Sequence, residues 1–229
     1  MTDLDIIAQL EQRIGRKLEK LEKIEWWNLK QLIGYQFNKQ RQIIGLSLRG
    51  CKLAELPMEI TQLQSLKRLR LDANQFNTLP PEIAQLRNLQ YLYLNSNQLR
   101  ALPLEIGQLQ NLERLRLESN QLGALPPEIA QLRNLRYLNL DSNQLRALLP
   151  KIGQLQNLEI LSLNINQLSA LPPEIAQLQN LQRLWLKYNQ LSTLPPEIAQ
   201  LQNLRELNLD NNPLETPPRE IIKRGLYAI

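Results

Sequence analysis

The sequence predicts an α/β solenoid: a curved, right-handed horseshoe with a parallel inner β-sheet and short outer 3₁₀ or α turns. The pattern LxxLxLxxNxL opens at Ile43, Leu66, Leu89, Leu112, Leu135, Leu158, Leu181 and Leu204, each step 23 residues long, with no insertion or deletion. Inside each unit the leucines alternate with polar or variable letters, as Leu181, Leu184 and Leu186 do in LQRLWLKYNQL. That is strand periodicity, with the leucines turned to one side. The second half of a unit, LPPEIAQLQN, sets Pro where the chain leaves the strand layer and spaces Ile175 and Leu178 three apart. A short helical turn with one face returned to the core satisfies both features. One such unit cannot bury enough apolar surface to stand alone, so stacked neighbours must supply the rest.

Taken in order, the chain divides into a helical and hairpin cap over 1–42, eight repeats over 43–221, and the start of a C-terminal cap over 222–229. Leu4, Ile7, Leu10 and Ile14 mark an amphipathic helix closed by Gly15. LEKLEKIEWWNLKQLIGYQF reads as a second short helix running into a strand at GYQF; NKQR then turns the chain into QIIGLSL, the first repeat strand. Trp26 and Trp27 serve either as lids over the first repeat or as a ligand shelf. The ninth position of each unit forms a structural ladder of Cys51, Asn74, Asn97, Asn120, Asn143, Asn166, Asn189 and Asn212. Its amides can bond backbone groups that the turns leave unpaired. Cys51 is a buried ladder residue on this reading, with a reactive thiol as the alternative. Glutamates at 59, 82, 105, 128, 174, 197 and 220 form a solvated row at the start of the outer turns. LLPKI, with Leu149 for Pro and Lys151 for Glu, predicts that the repeat opening at Leu135 is the least regular.

Eight in-phase copies identify the chain as a leucine-rich repeat protein of the intracellular, 23-residue type. Its end, NNPLETPPREIIKRGLYAI, resembles the closing repeat of Roco-type GTPases and of bacterial and plant Ras-group repeat proteins. In that group the segment leads into a capping helix, whereas here the sequence stops at Ile229 and Arg224 fills the slot that Leu201 holds one repeat earlier. The resemblance implies a bacterial recognition arm of a signalling protein, either a fragment of a longer chain or a short stand-alone relative. No GxxxxGK[ST] phosphate loop occurs, so any GTPase activity lies outside this sequence.

Composition narrows the chemistry. With no His and one Cys, zinc or haem sites and His-based catalysis are excluded, so the expectation is no enzyme and no cofactor. No apolar run approaches the roughly 20 residues of a membrane span, and the N-terminus lacks a signal layout. A cytoplasmic, monomeric protein is expected, and a net charge of +5 permits an acidic partner without requiring one.

The letters that do not repeat fall on strand positions facing the concave surface. Position three runs Gly45, Arg68, Tyr91, Arg114, Tyr137, Ile160, Arg183, Glu206, and position five runs Ser47, Arg70, Tyr93, Arg116, Asn139, Ser162, Trp185, Asn208. Position seven includes Asp72, Glu118, Asp141, Lys187 and Asp210, and position eight adds Ile165 and Tyr188. Tyr, Trp and Arg are the types enriched at interface hot spots. The candidate site is therefore Arg68, Arg70, Tyr91, Tyr93, Arg114, Arg116 and Tyr137, with a second group of Arg183, Trp185, Lys187 and Tyr188. Asn139 and Ser162 form a weaker stretch between them that could take bulk from a partner. The implied function is binding of a partner protein or peptide; the bland alternative is that these residues only cover their neighbours. Nucleic acid or another polyanion is the alternative partner, and the position-seven acids weigh against it.

Overall fold

A computed structural model describes residues 2–22 and 33–215. The chain opens with helix α1, Asp3–Ile14. Thr2 and Asp5 close a reciprocal capping box at its start, and Gly15 ends it in the left-handed region at φ 64°. Ile6, Ile7 and Leu10 form its buried face, whereas Leu4, expected there, is exposed. Asp3 takes the first-turn place on that face, its carboxylate accepting from the Ile43 N–H at 2.7 Å. Leu4 is left one step round the helix.

Among the described residues ten strands form one sheet in chain order: β1 (Glu19–Lys20), β2 (Gly34–Phe37), β3 (Ile43–Ser47), β4 (Arg68–Arg70), β5 (Tyr91–Tyr93), β6 (Arg114–Arg116), β7 (Tyr137–Asn139), β8 (Ile160–Ser162), β9 (Arg183–Trp185) and β10 (Glu206–Asn208). The hairpin of β2 and β3 is antiparallel, as its turn sequence predicts, and β3 to β10 are parallel. Register advances one repeat per strand, so position three faces position three: Arg68 pairs with Tyr91, Tyr91 with Arg114, and Arg114 with Tyr137. β1 is a correction. Part of the stretch expected as a second helix is extended and pairs parallel to β2. Backbone pairing satisfies the open edge of β2, and Gly34 admits the close approach, since a Cβ there would collide with the Glu19 carbonyl. Trp26 and Trp27, and the segment 222–229, lie outside the described residues.

The repeated leucines form a continuous core; Leu66, Leu69, Leu71, Leu112, Leu115, Leu117, Leu181, Leu184 and Leu186 are all fully buried. The outer turns are short 3₁₀ segments, from Met58–Gln62 to Pro196–Gln200, whose isoleucines (Ile60, Ile83, Ile106, Ile129, Ile152, Ile175, Ile198) return to that core. Three residues per turn suits a unit with little length to spare. The repeat opening at Leu135 is as regular as the others. Leu149 sits at φ −70° and ψ 140°, against −68° and 145° for Pro126 and −70° and 143° for Pro172. The stack dictates that conformation, and proline only pre-sets it. The glutamate row is less solvated than its letters suggest, because Glu128 and Glu174 each have one carboxylate oxygen shielded. Gly107 stands where most repeats carry Ala, because a Cβ there would lie 2.5 Å from the Glu128 carbonyl oxygen.

The asparagine ladder joins neighbouring repeats through four bonds per residue. Asn143 Nδ2 donates to the carbonyls of Leu117, Leu140 and Asp141 at 2.9, 3.0 and 3.2 Å, while its Oδ1 accepts from the Leu122 N–H at 3.0 Å. Asn97, Asn120, Asn166 and Asn189 repeat the arrangement. Cys51 heads the row but is only half-buried, with its thiol donating weakly to the Arg49 carbonyl at 3.9 Å. Burial pushes its thiol pKa up, which keeps it a poor nucleophile. A second ladder escaped the sequence reading. Asn88, Asn111, Asn134, Asn157, Asn180 and Asn203 each donate to a carbonyl one repeat back at 2.7–2.8 Å. The recurring Asn of LRNL and LQNL was its visible signal.

Replacing Asn143 by Leu should lower unfolding free energy by about 2 kcal/mol, since the buried Leu122 N–H loses its partner and the carbonyls of Leu117, Leu140 and Asp141 keep only Asn120 Nδ2, Asn166 Nδ2 and the Ser119 N–H. Urea denaturation of the two proteins measures it, and equal midpoints would count against the ladder as a stabilising device.

Candidate partner-binding face

The parallel register lines the variable side chains into rows across the concave sheet. Position three is the open row: Arg68, Tyr91, Tyr137 and Ile160 are half-exposed, and Arg114 and Arg183 are exposed. Its residues stack on one another. The Arg68 guanidinium lies 5.2 Å from the Tyr91 ring, and that of Arg114 lies 6.0 Å from Tyr91 and 5.8 Å from Tyr137. Arg116 is similarly held, 5.9 Å from Tyr93 and 5.8 Å from Tyr137. Cation–π contacts of this kind fix long side chains before any partner arrives.

Position five departs from expectation. Arg70 and Tyr93 are only 4% and 6% exposed, and Asn139 and Ser162 are buried too. The N-terminal cap covers part of the row, for Leu21 packs against Tyr93 together with Tyr91. Burial also raises the Tyr93 phenol pKa. Arg70 Nε donates to Asp72 Oδ2 at 2.7 Å in a pair with both side chains 5% exposed. These residues serve folding first. Asn139 and Ser162 are likewise no open notch, because their short side chains are occupied with Asp141.

Position seven is also structural. Asp72 Oδ1 accepts from the Asn95 N–H at 3.0 Å, Asn95 Oδ1 from Glu118, Asp141 Oδ1 from Asn164 at 2.7 Å, and Asn164 Oδ1 from Lys187. Where the preceding repeat carries Glu118 or Lys187, an asparagine at position five takes over: Asn139 Oδ1 accepts from Asp141 N–H, and Asn208 Oδ1 from Asp210 N–H. Two of the four acidic letters that looked like surface charge, Asp72 and Asp141, are thus backbone acceptors. Burial raises the Asp141 carboxyl pKa, against its hydrogen bonds from Ser162 and Asn164.

The C-terminal group is brought together as expected. Trp185 Nε1 donates to Glu206 Oε1 at 2.8 Å, Arg183 lies 3.5 Å from Glu206, and Lys187 lies 3.7 Å from Asp210 and 5.3 Å from the Tyr188 ring. Ile165 belongs with it. At position eight every repeat turns through the left-handed region, and the occupants elsewhere are Gly50, Ala73, Ser96, Ser119, Ser142 and Asn211. Ile165 and Tyr188 hold the same φ of 55° while 52% and 51% exposed. A β-branched residue there is strained, and nothing in the core requires it. The Ile165 N–H bonds the Lys187 carbonyl at 2.8 Å, which sets the two large side chains on neighbouring rungs.

Among the described residues no group of His, Cys, Asp or Glu could hold a metal ion, and no helix is long and apolar enough to cross a membrane. The profile of the leucine-rich repeat region family matches residues 35–118, 88–163 and 127–224. A leucine-rich repeat protein of Leptospira interrogans superposes with a TM-score of 0.76 at 42% identity, over 94% of this chain and 54% of its own. A TDR receptor superposes with a TM-score of 0.59 at 28% identity, over 75% of this chain and 35% of its own. The chain therefore spans about half the length of the first and a third of the second. No curated protein matches the sequence.

Tyr93→Ala should destabilise the protein by about 3 kcal/mol, as aromatic truncation in a core does, whereas Trp185→Ala should stay within about 1 kcal/mol. Thermal and urea unfolding of both variants decides whether the two rows differ as described.

Proposed function

Because the chain belongs to the leucine-rich repeat family, we propose that its concave face binds a partner protein or peptide, as the recognition arm of a signalling protein. The observation that carries this reading is the pair Ile165 and Tyr188, large, half-exposed and held in a backbone that favours glycine. Strain kept at an exposed position without benefit to the core is the pattern of a ligand contact. The pre-stacked arginines and tyrosines of position three add rigid, amphipathic contact area at low ordering cost. Eight repeat strands spaced roughly 4.8 Å apart give an arc long enough for a standard interface. A receptor among the structural neighbours is consistent with recognition. The binding set is Arg68, Tyr91, Arg114, Arg116, Tyr137, Arg183, Trp185, Lys187 and Tyr188, joined by Ile165. Arg70 and Tyr93 act as their support.

Polyanion binding is disfavoured by Glu206 and Asp210, which already pair with Arg183 and Lys187. Affinity capture with the immobilised chain tests the proposal. Arg114→Ala and Trp185→Ala should each weaken the captured partner by about 2 kcal/mol, while Gln131→Ala and Gln177→Ala on the convex side leave it unchanged. Equal losses from both faces would overturn concave recognition. A partner released steeply by salt, with a slope tracking several phosphates, would instead point to nucleic acid.

A further inference from the structure

Three aspartates occupy position seven, and two of them are matched by a cation from this chain. Asp72 Oδ1 accepts the next repeat's N–H, from Asn95, and its Oδ2 takes Arg70 Nε at 2.7 Å. Asp210 has Lys187 at 3.7 Å. Asp141 repeats the first half of the Asp72 arrangement: its Oδ1 accepts from the Asn164 N–H at 2.7 Å, and also from Ser162 Oγ at 2.6 Å. Among the described residues no cation pairs with its Oδ2, and the other group that favours its charged form at close range is the neutral Asn164 side chain. That oxygen is not sealed off either, since shielded partnerless side-chain oxygens among the described residues belong to Gln36, Ser47, Glu128 and Glu174.

The reason is one substitution. Position five of its repeat is Asn139, where the Asp72 repeat has Arg70. Arg116, a cation whose field reaches Asp141, is drawn into stacks on Tyr93 and Tyr137. A half-buried carboxylate with one oxygen held by the Asn164 N–H and Ser162 Oγ, and no cation on the other, lacks the partner that its own sister site possesses. We infer that Asp141 Oδ2 is the seat of an arginine side chain supplied by the bound partner, which takes the place Arg70 takes on Asp72. Arginine fits better than lysine because the Arg70 contact is made through Nε of a planar fork, a geometry that an ammonium does not offer. The inference rests on concave-face recognition and adds the chemistry of one anchor.

The test titrates the isotopically labelled chain with N-acetyl-arginine amide and follows the amides of Asn164 and Ser162. A saturable shift is expected at both, about tenfold weaker in Asp141→Asn as for loss of a charge-assisted bond and weaker with N-acetyl-lysine amide. Asn139→Arg should rebuild the Arg70–Asp72 pair within the chain, keep the amide spectrum of a folded protein, and abolish the response. A response that never saturates, or that is equal in the parent and Asp141→Asn, overturns the seat. Concave recognition would survive that result if Arg114→Ala and Trp185→Ala still impaired partner capture.

Discussion

Everything in this molecule depends on a side-chain amide that bonds two repeats at once. Asn143 reaches back to the Leu117 carbonyl and the Leu122 N–H of the preceding unit while holding the Leu140 carbonyl of its own. Such a clamp holds neighbouring rungs at one distance. It also fixes the backbone on both sides. The strand before it stays short, and the residue just before the amide is forced to positive φ in repeat after repeat.

That uniformity makes deviations informative. If the backbone is the same at every rung, a residue that suits it badly must be retained for some other purpose. Ile165 and Tyr188 are such residues, standing among Gly, Ala, Ser and Asn. The same comparison works at position seven, where Asp72 and Asp141 share one hydrogen bond to the following rung and differ in whether an arginine completes them. A repeat protein carries its own control experiments, because each unit shows what its neighbours would look like without a given feature.

The concave face consequently has two characters. Over β4 to β6 it is knit together: arginines stack on tyrosines, the Arg70–Asp72 pair is buried, and Leu21 from the cap packs on Tyr93. Over β8 and β9 it is more open, with strained apolar residues at the rim and ion pairs exposed to solvent and its screening. The first region provides a rigid platform and the second provides surface whose burial is still available.

The sequence alone determined the solenoid, its eight rungs, the parallel inner sheet, the hairpin lead-in and the asparagine ladder. These follow from local periodicity repeated in phase, and in-phase repetition leaves one packing solution. It also pointed to the concave rows that carry the variable side chains. Only the tertiary structure decided which of those side chains are available. Arg70, Tyr93, Asn139 and Ser162 share a strand position with Trp185, yet the cap covers Tyr93, Asp72 holds Arg70 down, Asp141 engages the short Asn139 and Ser162, and Trp185 is left half-exposed. β1 was equally illegible, since two extended residues carry no periodicity and gain their structure from the edge they join. The role of Asp141 depends on Asn139, Ser162, Asn164 and Arg116, drawn from its own rung and the two on either side. Alternation along one strand tells which way a side chain points, but its neighbours across the sheet, tens of residues away in sequence, set what it meets there.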